Sequence, residues 1–530
     1  PLIDEAGATE DSRNDEEKGQ LLSEEADESA EVGWNTYWYY IKNSGSFWQI
    51  LLFVIVLVAM QLLYVLYSLL IGSMNNDSSW SPAKVLGTII AAFVVVLALR
   101  EVLFTKLSLK ASSSVHDKAL KGVTNAKTEF FDTTPRGRIL NRFSNDAGML
   151  DRFLLQVQND VVDMGLYYLT LLITVCCVVP WLLLPAFVFV VAIVSLLRVF
   201  KTVIMQARVV ELHTRSPIYS LFSMTLSGLV SLRVYSQEKR FINEFTNLLN
   251  RNLRAFTFHW NVTRAYAFFS DFISTTFGCV GIALLLYIGN LEAGLVGLSC
   301  CYLITISEHL QWFIRQTLTH ITQMASTARL KSYAELSQEP ALTLPSDQQL
   351  IQNQHWPSRG EVSFNNVHLK YREKTDHVIK GLTFTAHPAE KIACVGRTGA
   401  GKSSILQALF RMVEIDKQAV PDCNITIDGM DTSTIGLHTL RKHISIIPQT
   451  PFVFMGTVKT NLDPLNEHTD EEIKLALQEI NLWEYISTLP NGLNTEMSNT
   501  ASVFSVGQKQ LICLARVHLQ NNKILVLDEA

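Results

Sequence analysis

Residues Phe47 to Ile71 run for 25 residues without a charge. About 20 apolar residues carry a helix across a bilayer. In lipid each backbone N–H and C=O needs a partner within its own segment, which leaves such a run little choice but a helix. Five further stretches are similar: 85–104, 161–179, 181–200, 266–289 and 295–318. Arg100-Glu101 lies near the end of the first of these, and Pro180-Trp181 separates the next two. Asp271 falls in 266–289, and Glu308, His309 and Arg315 interrupt 295–318. The competing reading for each stretch is a buried core helix. Their lengths point instead to a polytopic α-helical membrane domain of six transmembrane helices, within residues 34–330. The chain is 48% hydrophobic with a mean hydropathy of +0.19, and the apolar excess lies before residue 320.

Trp34, Tyr37, Trp38, Tyr39, Tyr40 and Ile41 precede the first span. Amphipathic aromatics favour the membrane interface, so an interfacial elbow helix is expected there. Segments 73–83 and 290–294, and the link near 180, hold no Lys or Arg. Segments 105–160 and 201–264 hold nine each. The basic side faces the cytosol, so both long connections and both chain ends are placed there. Asn76-Asp77-Ser78 is then a glycosylation sequon on the outer side. Asn261-Val262-Thr263 and Asn424-Ile425-Thr426 match the same pattern on the cytosolic side and are read as chance. The long connections keep helical apolar spacing. That predicts membrane helices running on into the cytosol, paired through short turns, with breaks at Asp132–Gly137 and at Ser216-Pro217.

Residues 1–31 carry twelve acidic and two basic side chains, whereas the whole chain has a net charge of −5. Residues 1–33 are read as an acidic disordered linker with no secretory signal peptide. Ser23-Glu24-Glu25 fits a phosphorylation site, but a solvated linker explains it as well. Eight cysteines occur without a CxxC, and Cys176-Cys177 and Cys300-Cys301 sit in apolar runs as small hydrophobes. The chain begins at Pro1 and stops at Ala530, which reads as a fragment cut at both ends.

Residues 331–360, with Pro340, Pro345 and Pro357, read as a linker. From Glu361 strands and helices interleave, the pattern of an α/β P-loop NTPase domain over 361–530, left incomplete at Ala530. Gly396-Arg397-Thr398-Gly399-Ala400-Gly401-Lys402-Ser403 matches G-x-x-x-x-G-K-[ST]. The apolar run Lys391–Gly396 before it is expected to be a buried strand, and Ser404–Phe410 after it a helix, the setting this motif requires. The loop's backbone N–H groups suit a phosphate chain, Lys402 the β- and γ-phosphates, and Ser403 a Mg²⁺ ion. Tyr371, on a candidate strand, suits either adenine stacking or an ordinary strand position. Gln449 ends a strand begun at Ile444, where its amide could meet Mg²⁺ and attacking water. In Phe504-Ser505-Val506-Gly507-Gln508, Ser505 is a candidate N-cap of a helix over 509–519, and a helix N-terminus favours anions. Lys523–Leu527 is an apolar strand delivering Asp528 and Glu529 to its C-terminal edge, where ligands bind in parallel sheets. Asp528 suits Mg²⁺, and Glu529 suits polarising water.

In this order the motifs resemble the nucleotide-binding domain of an ATP-binding-cassette (ABC) transporter, with Phe504–Gln508 standing at its signature. The Val506 form, followed by Lys509–Arg516, is similar to the second nucleotide-binding domain of subfamily C, the multidrug-resistance-associated proteins. Phe130–Asp146, Ser216–Gly228, Gly297–Ser299 and Gln311–Gln316 are similar to that subfamily's membrane part. The chain departs from the family at Met224, where many members carry an acid, and at the looser Met324–Arg329. It also ends before the family's D-loop and γ-phosphate histidine, so no competent catalytic site is expected from this chain alone.

The resemblance implies an ATPase using ATP and Mg²⁺, with Lys402 and Glu529 catalytic. Arg397, Thr398, Gly399, Ala400, Gly401, Ser403, Ser404, Tyr371, Gln449, Ser505, Gly507 and Gln508 would bind nucleotide. It implies a partner in a first half of the same transporter, itself a transmembrane domain plus a nucleotide-binding domain, whose signature completes this P-loop. The site using this chain's own signature should be the weaker one, because Val506 stands where a glycine allows close approach. Expected partners are the lipid bilayer and an amphipathic small molecule, with no nucleic acid. Subfamily C implies export of organic anions or thiol conjugates, and Trp312 with Arg315, at i and i+3, could present an aromatic and a cation to them. Interfacial anchoring explains that pair as well, and Asp271 and Glu308 could pair with cations in the bundle. The plasma membrane and vacuolar or endosomal membranes fit equally. An ATP-gated channel or channel regulator of the same subfamily, or an inactive fragment, are the alternatives.

Overall fold

The computed structural model describes residues 33–72, 82–288, 293–354, 356–372, 375–397, 399–417, 420–497 and 504–528. The acidic segment 1–32, the sequon Asn76–Ser78, Thr398 and Glu529 lie outside them. The chain forms two compact units. The first gathers residues 33–124 and Gly137–Leu336, and the second Asn125–Arg136 and 337–528.

The first unit is helical. It contains α1 (Trp34–Ser44), α2 (Phe47–Gly72) and α3 (Pro82–Thr124). After α4 (Thr128–Thr133), which belongs to the second unit, come α5 (Arg136–Asn141), π-helical turns at Arg142–Asp146 and Met149–Leu154, and α6 (Leu155–Val178). Then follow α7 (Leu183–Ser227), α8 (Leu229–Val234), α9 (Glu238–Ile288) and α10 (Ala293–Ala334). Among the described residues, five helical segments are long and apolar enough to cross a membrane. Ala293–Ile306 and Leu310–Ala334, bent by 42°, make a sixth if taken as one span. The 43 residues of α3 reach about 65 Å at 1.5 Å per residue, roughly twice a bilayer's hydrocarbon core. The helices are therefore much longer than a bilayer span requires.

The core of this unit is Leu171 and Val175 of α6, Phe189 of α7, Phe277 of α9, and Leu303 and Ile306 of α10. Phe189 and Phe277 stack at 4.6 Å. Ser270, Ser274, Gly278 and Gly281 are buried on α9, where small residues let helices approach as membrane packing requires. Outward, Leu184, Phe187 and Val191 of α7 are exposed, a surface fit for lipid. A helix, α1, forms at the aromatic cluster. Ser114 Oγ and Lys118 Nζ hold it by donating to Asn43 Oδ1 at 3.0 and 2.5 Å. Arg100 is fully buried rather than merely closing a span, donating to Asn159 Oδ1 at 2.7 Å and ion-pairing with Asp163 and Glu101. Asp271 is exposed and makes no ion pair among the described residues.

The expected break at Ser216-Pro217 does not occur. Pro217 lies inside α7, where buried Ile218 and Leu221 hold the helix together across the lost hydrogen bond. The chain reverses instead between Gly228 and Gln237, around α8. The break at Asp132–Gly137 does occur, between α4 and α5.

In the second unit, α11 (Pro345–Gln354) falls in the expected linker. Asp347, 4% exposed, fastens this region by accepting from Leu344 N at 2.8 Å, Gly436 N at 3.1 Å and Thr439 Oγ1 at 3.1 Å. Two strands, β1 (Val362–Leu369) and β2 (Ile379–Ala386), precede α12 (Lys402–Leu409). The short β3 (Asn424–Ile427) and β4 (Met430–Asp431) complete an antiparallel sheet of order β2-β1-β3-β4. Next come α13 (Leu437–Lys442), β5 (Ile444–Ile447), β6 (Gly456–Thr457), α14 (Val458–Leu462), α15 (Asp470–Glu479) and α16 (Trp483–Thr488). The last elements are β7 (Glu496–Met497), α17 (Val506–Gln520) and β8 (Ile524–Leu527), and β5 pairs with β8 in parallel. One core joins Phe364, Val367, Ala408, Leu409, Ile444 and Ile524. A second joins Val458, Ile473, Leu477, Phe504 and Ile512.

The run Lys391–Gly396 is not the buried strand its apolar residues predict. It is irregular and exposed, Val395 to 95%. A parallel strand holds only where neighbours cover its faces and edges, and here they do not.

Asp428-Gly429 closes the β3–β4 hairpin with φ of +47° and +79°, a type I′ turn. The Asp428 carboxylate accepts from Arg359 N at 2.9 Å, Gly360 N at 3.2 Å and Glu361 N at 2.8 Å. Burial alone would raise this carboxyl, but the backbone donors outweigh it and hold it below the usual carboxylate range. A depressed folded pKa adds stability above the unfolded value of about 4, and that stability is lost as pH falls through the folded value. Asp428→Asn is therefore expected to destabilise this unit by about 1–3 kcal/mol at pH 7. The gap from wild type should narrow below about pH 4 in melting curves. A gap constant from pH 7 to pH 3 would refute it.

Candidate nucleotide site

The glycine-rich loop enters α12 through two residues in left-handed backbone. Gly399 has φ +82°, and Gly401, the N-cap, has φ +90°. Side chains rarely adopt that region, which is why glycine stands at both positions. Ala400 N donates to Arg397 O at 3.0 Å, closing the turn. Lys402 Nζ donates to Gly396 O at 2.8 Å, holding an ammonium across the loop at the helix N-terminus. Ser403 is exposed beside it, and Ser404 is buried. Tyr371 follows β1, half-buried against the first core, with its hydroxyl 2.8 Å from Ser404 Oγ. It thus meets the helix that carries the loop.

Ile447 pairs with Leu527 at the ends of β5 and β8, and Asp528 N donates to Ile447 O at 3.0 Å. Gln449 and Asp528 therefore leave neighbouring parallel strands at the same edge. The first core packs α12, β5 and β8 together, so the loop and this edge belong to one body. Ser403, Gln449 and Asp528 offer a hydroxyl, an amide and a carboxylate, hard oxygen donors of the kind Mg²⁺ takes.

Ser505, Gly507 and Gln508 belong elsewhere. Ser505 caps α17 by accepting from Gln508 N at 3.2 Å, and Gln508 Oε1 accepts from Ser505 N at 2.8 Å. This is a capping box, as the Ser-x-x-Gln spacing suggests. Phe504, 3% exposed, anchors it in the second core against Tyr485. The loop's helix and the Phe504–Gln508 segment thus pack on separate cores of one unit. Ser505→Ala should lower the melting stability of this unit by roughly 0.5–2 kcal/mol and leave nucleotide binding at the loop intact. An unchanged midpoint would contradict the cap.

Sequence reasoning gave no role to Arg516. Its guanidinium donates to Asn461 O at 2.6 Å, Phe452 O at 2.7 Å and Asn461 Oδ1 at 3.0 Å. It ties the signature helix to the segment just past Gln449. Its place at i+11 from Ser505 on the same helix was the available signal. Arg441 and Glu339 pair through two bonds of 2.9 Å, which no local pattern announces. In the helical unit, the Arg315 guanidinium lies over the Trp312 ring at 4.0 Å, and both residues are exposed.

Residues 47–334 match the ABC transporter transmembrane region, and residues 379–530 match the ABC transporter family's second model, described as "ABC transporter". The chain belongs to the ABC transporter family. It is 36% identical over 541 residues to ATP-binding cassette sub-family C member 4 of Homo sapiens, covering 98% of this chain and 40% of that protein. It is 33% identical to ABC transporter C family member 13 of Dictyostelium discoideum, covering 100% of this chain and 39% of that protein. Metal resistance protein YCF1 of Saccharomyces cerevisiae is 35% identical, with 96% of this chain and 34% of that protein covered. The ABC chain thus spans about two fifths of the length of the curated relatives it matches. It corresponds to the second half of a subfamily C transporter, an integral membrane protein.

Proposed function

We propose that the full-length protein is an ATPase that exports amphipathic organic anions or thiol conjugates across a membrane. The observation that supports this is the core that packs α12, which the Gly399–Lys402 loop opens, with β5 and β8, the strands that lead to Gln449 and Asp528. Bound ATP supplies the free energy and the γ-phosphate. Lys402 would bind and neutralise phosphate charge, and Gly396, Arg397, Thr398, Gly399, Ala400, Gly401, Ser403 and Ser404 would contribute to nucleotide binding. Ser403, Gln449 and Asp528 would hold Mg²⁺. Glu529 would polarise the attacking water. Ser505, Gly507 and Gln508 would face nucleotide held by the transporter's first half, and that half's signature would close over this loop.

The exposed Trp312–Arg315 pair offers an aromatic face and a cation to an amphipathic anion. The basic connections support a cytosolic nucleotide unit.

Inside-out vesicles bearing the full-length protein test this reading. Uptake of a labelled glutathione conjugate with ATP, and none with a non-hydrolysable analogue, is expected. ATP-gated current without conjugate uptake would overturn it in favour of a channel.

A further inference from the structure

Asp146 sits in the π-helical turn Arg142–Asp146 and is 5% exposed. Its carboxylate is held on both oxygens. Arg142 Nη1 donates to Oδ2 at 3.1 Å and Arg329 Nε to the same oxygen at 2.9 Å. Ser326 Oγ donates to Oδ1 at 3.0 Å, and Arg329 Nη2 donates to that oxygen too. Arg142 and Ser326 are themselves buried, at 7% and 4% exposure. The group fastens the π-helical turn after α5 to α10, across 183 residues of sequence. Around it, Phe143 meets Tyr333 of α10 at 6.2 Å and His116 of α3 at 5.8 Å.

Helices α3 and α10 end at Thr124 and Ala334, where the chain passes toward the other unit. Within that unit their continuations are fastened again. Ala126 and Gln338 form an antiparallel bridge, Lys127 N donates to Ser337 O at 3.2 Å, and Glu339 N donates to Asn125 O at 2.8 Å. Thr128 Oγ1 of α4 then donates to Met412 O at 2.9 Å, and Glu339 holds Arg441. The chain is therefore clasped on each side of its crossing points. Buried ion groups are costly to assemble, and removing one partner strands the others.

We propose that Asp146, with Arg142, Arg329 and Ser326, is a transmission clasp: it makes the helical segment that begins at α5 and helix α10 move as one body, so that nucleotide-driven motion reaches α10 undivided. Asp146 is a positioning residue here. The proposal rests on the ATP-driven transport reading.

The test measures ATP turnover and labelled-conjugate uptake together, in vesicles bearing the full-length protein. Asp146→Asn is expected to keep turnover within about twofold of wild type while uptake per ATP falls roughly fivefold or more, the lower range of site-to-site coupling. The paired exchange Asp146→Arg with Arg329→Asp restores opposite charges across the helices. It should recover uptake per ATP at least about twofold over either single change. A misfolded single variant could not produce that recovery. Unchanged uptake per ATP in Asp146→Asn would overturn the clasp, as would turnover and uptake falling in parallel with no recovery in the exchange. Wild type without ATP-driven uptake would overturn the transport reading, and the clasp with it.

Discussion

Full-length protein carrying Glu529→Gln is expected to retain ATP and to stop turning it over. Lys402→Ala should instead lose ATP itself. The two changes separate because they act on different steps. Lys402 crosses the loop mouth, where its ammonium donates to Gly396 O at 2.8 Å. Removing a charged donor costs about 1.5–3 kcal/mol, or roughly 10- to 100-fold in affinity. Glu529 follows Asp528, whose backbone is fixed to Ile447 at the strand edge. A neutral amide there keeps the shape and removes the base, and general-base catalysis is worth about 10²–10⁴-fold in rate. Labelled-ATP binding and phosphate release, measured on both variants, check this. Glu529→Gln with wild-type turnover would remove Glu529 from the chemistry.

Gly122→Ala should be among the most damaging single changes in the helical unit. A Cβ at Gly122 would lie 2.0 Å from Tyr333 O and 3.0 Å from Ala334 Cα. Those atoms are backbone, so no rotamer change relieves the contact, and α3 and α10 must separate where each ends. Overpacking typically costs about 1–3 kcal/mol, and a backbone clash lies at or beyond the top of that range. Gly87→Ala is the control. It lies on the same helix with nothing within 4 Å of the added carbon, and alanine favours the helix. Melting midpoints in detergent should fall for Gly122→Ala and hold or rise for Gly87→Ala. Equal midpoints would show that α3 and α10 do not meet as described.

Local signals carried far in this sequence. Charge-free runs of bilayer length specify the long helices, and the Ser505-x-x-Gln508 spacing specifies a cap that closes on itself within one turn. Apolar runs ending at Gln449 and at Asp528 put those two residues at one sheet edge, because parallel strands release their chains at the same end. What stayed hidden depends on partners far along the chain. The Asp146–Arg329 pair spans 183 residues, and Glu339–Arg441 spans 102. Neither partner sits in a pattern that names the other. Pro217 misled for the opposite reason. A proline signals a local break, but tertiary packing of Ile218 and Leu221 decides whether a long helix yields to it. Lys391–Gly396 has strand composition without the neighbours a strand needs.

Substrate-stimulated ATP hydrolysis by the full-length protein bears most directly on the link between the nucleotide site and the helices. Adding an amphipathic organic anion should raise phosphate release in wild type and leave Lys402→Ala at background. Hydrolysis indifferent to any such anion, or stimulation that survives Lys402→Ala unchanged, would contradict an ATP-driven exporter powered through this loop.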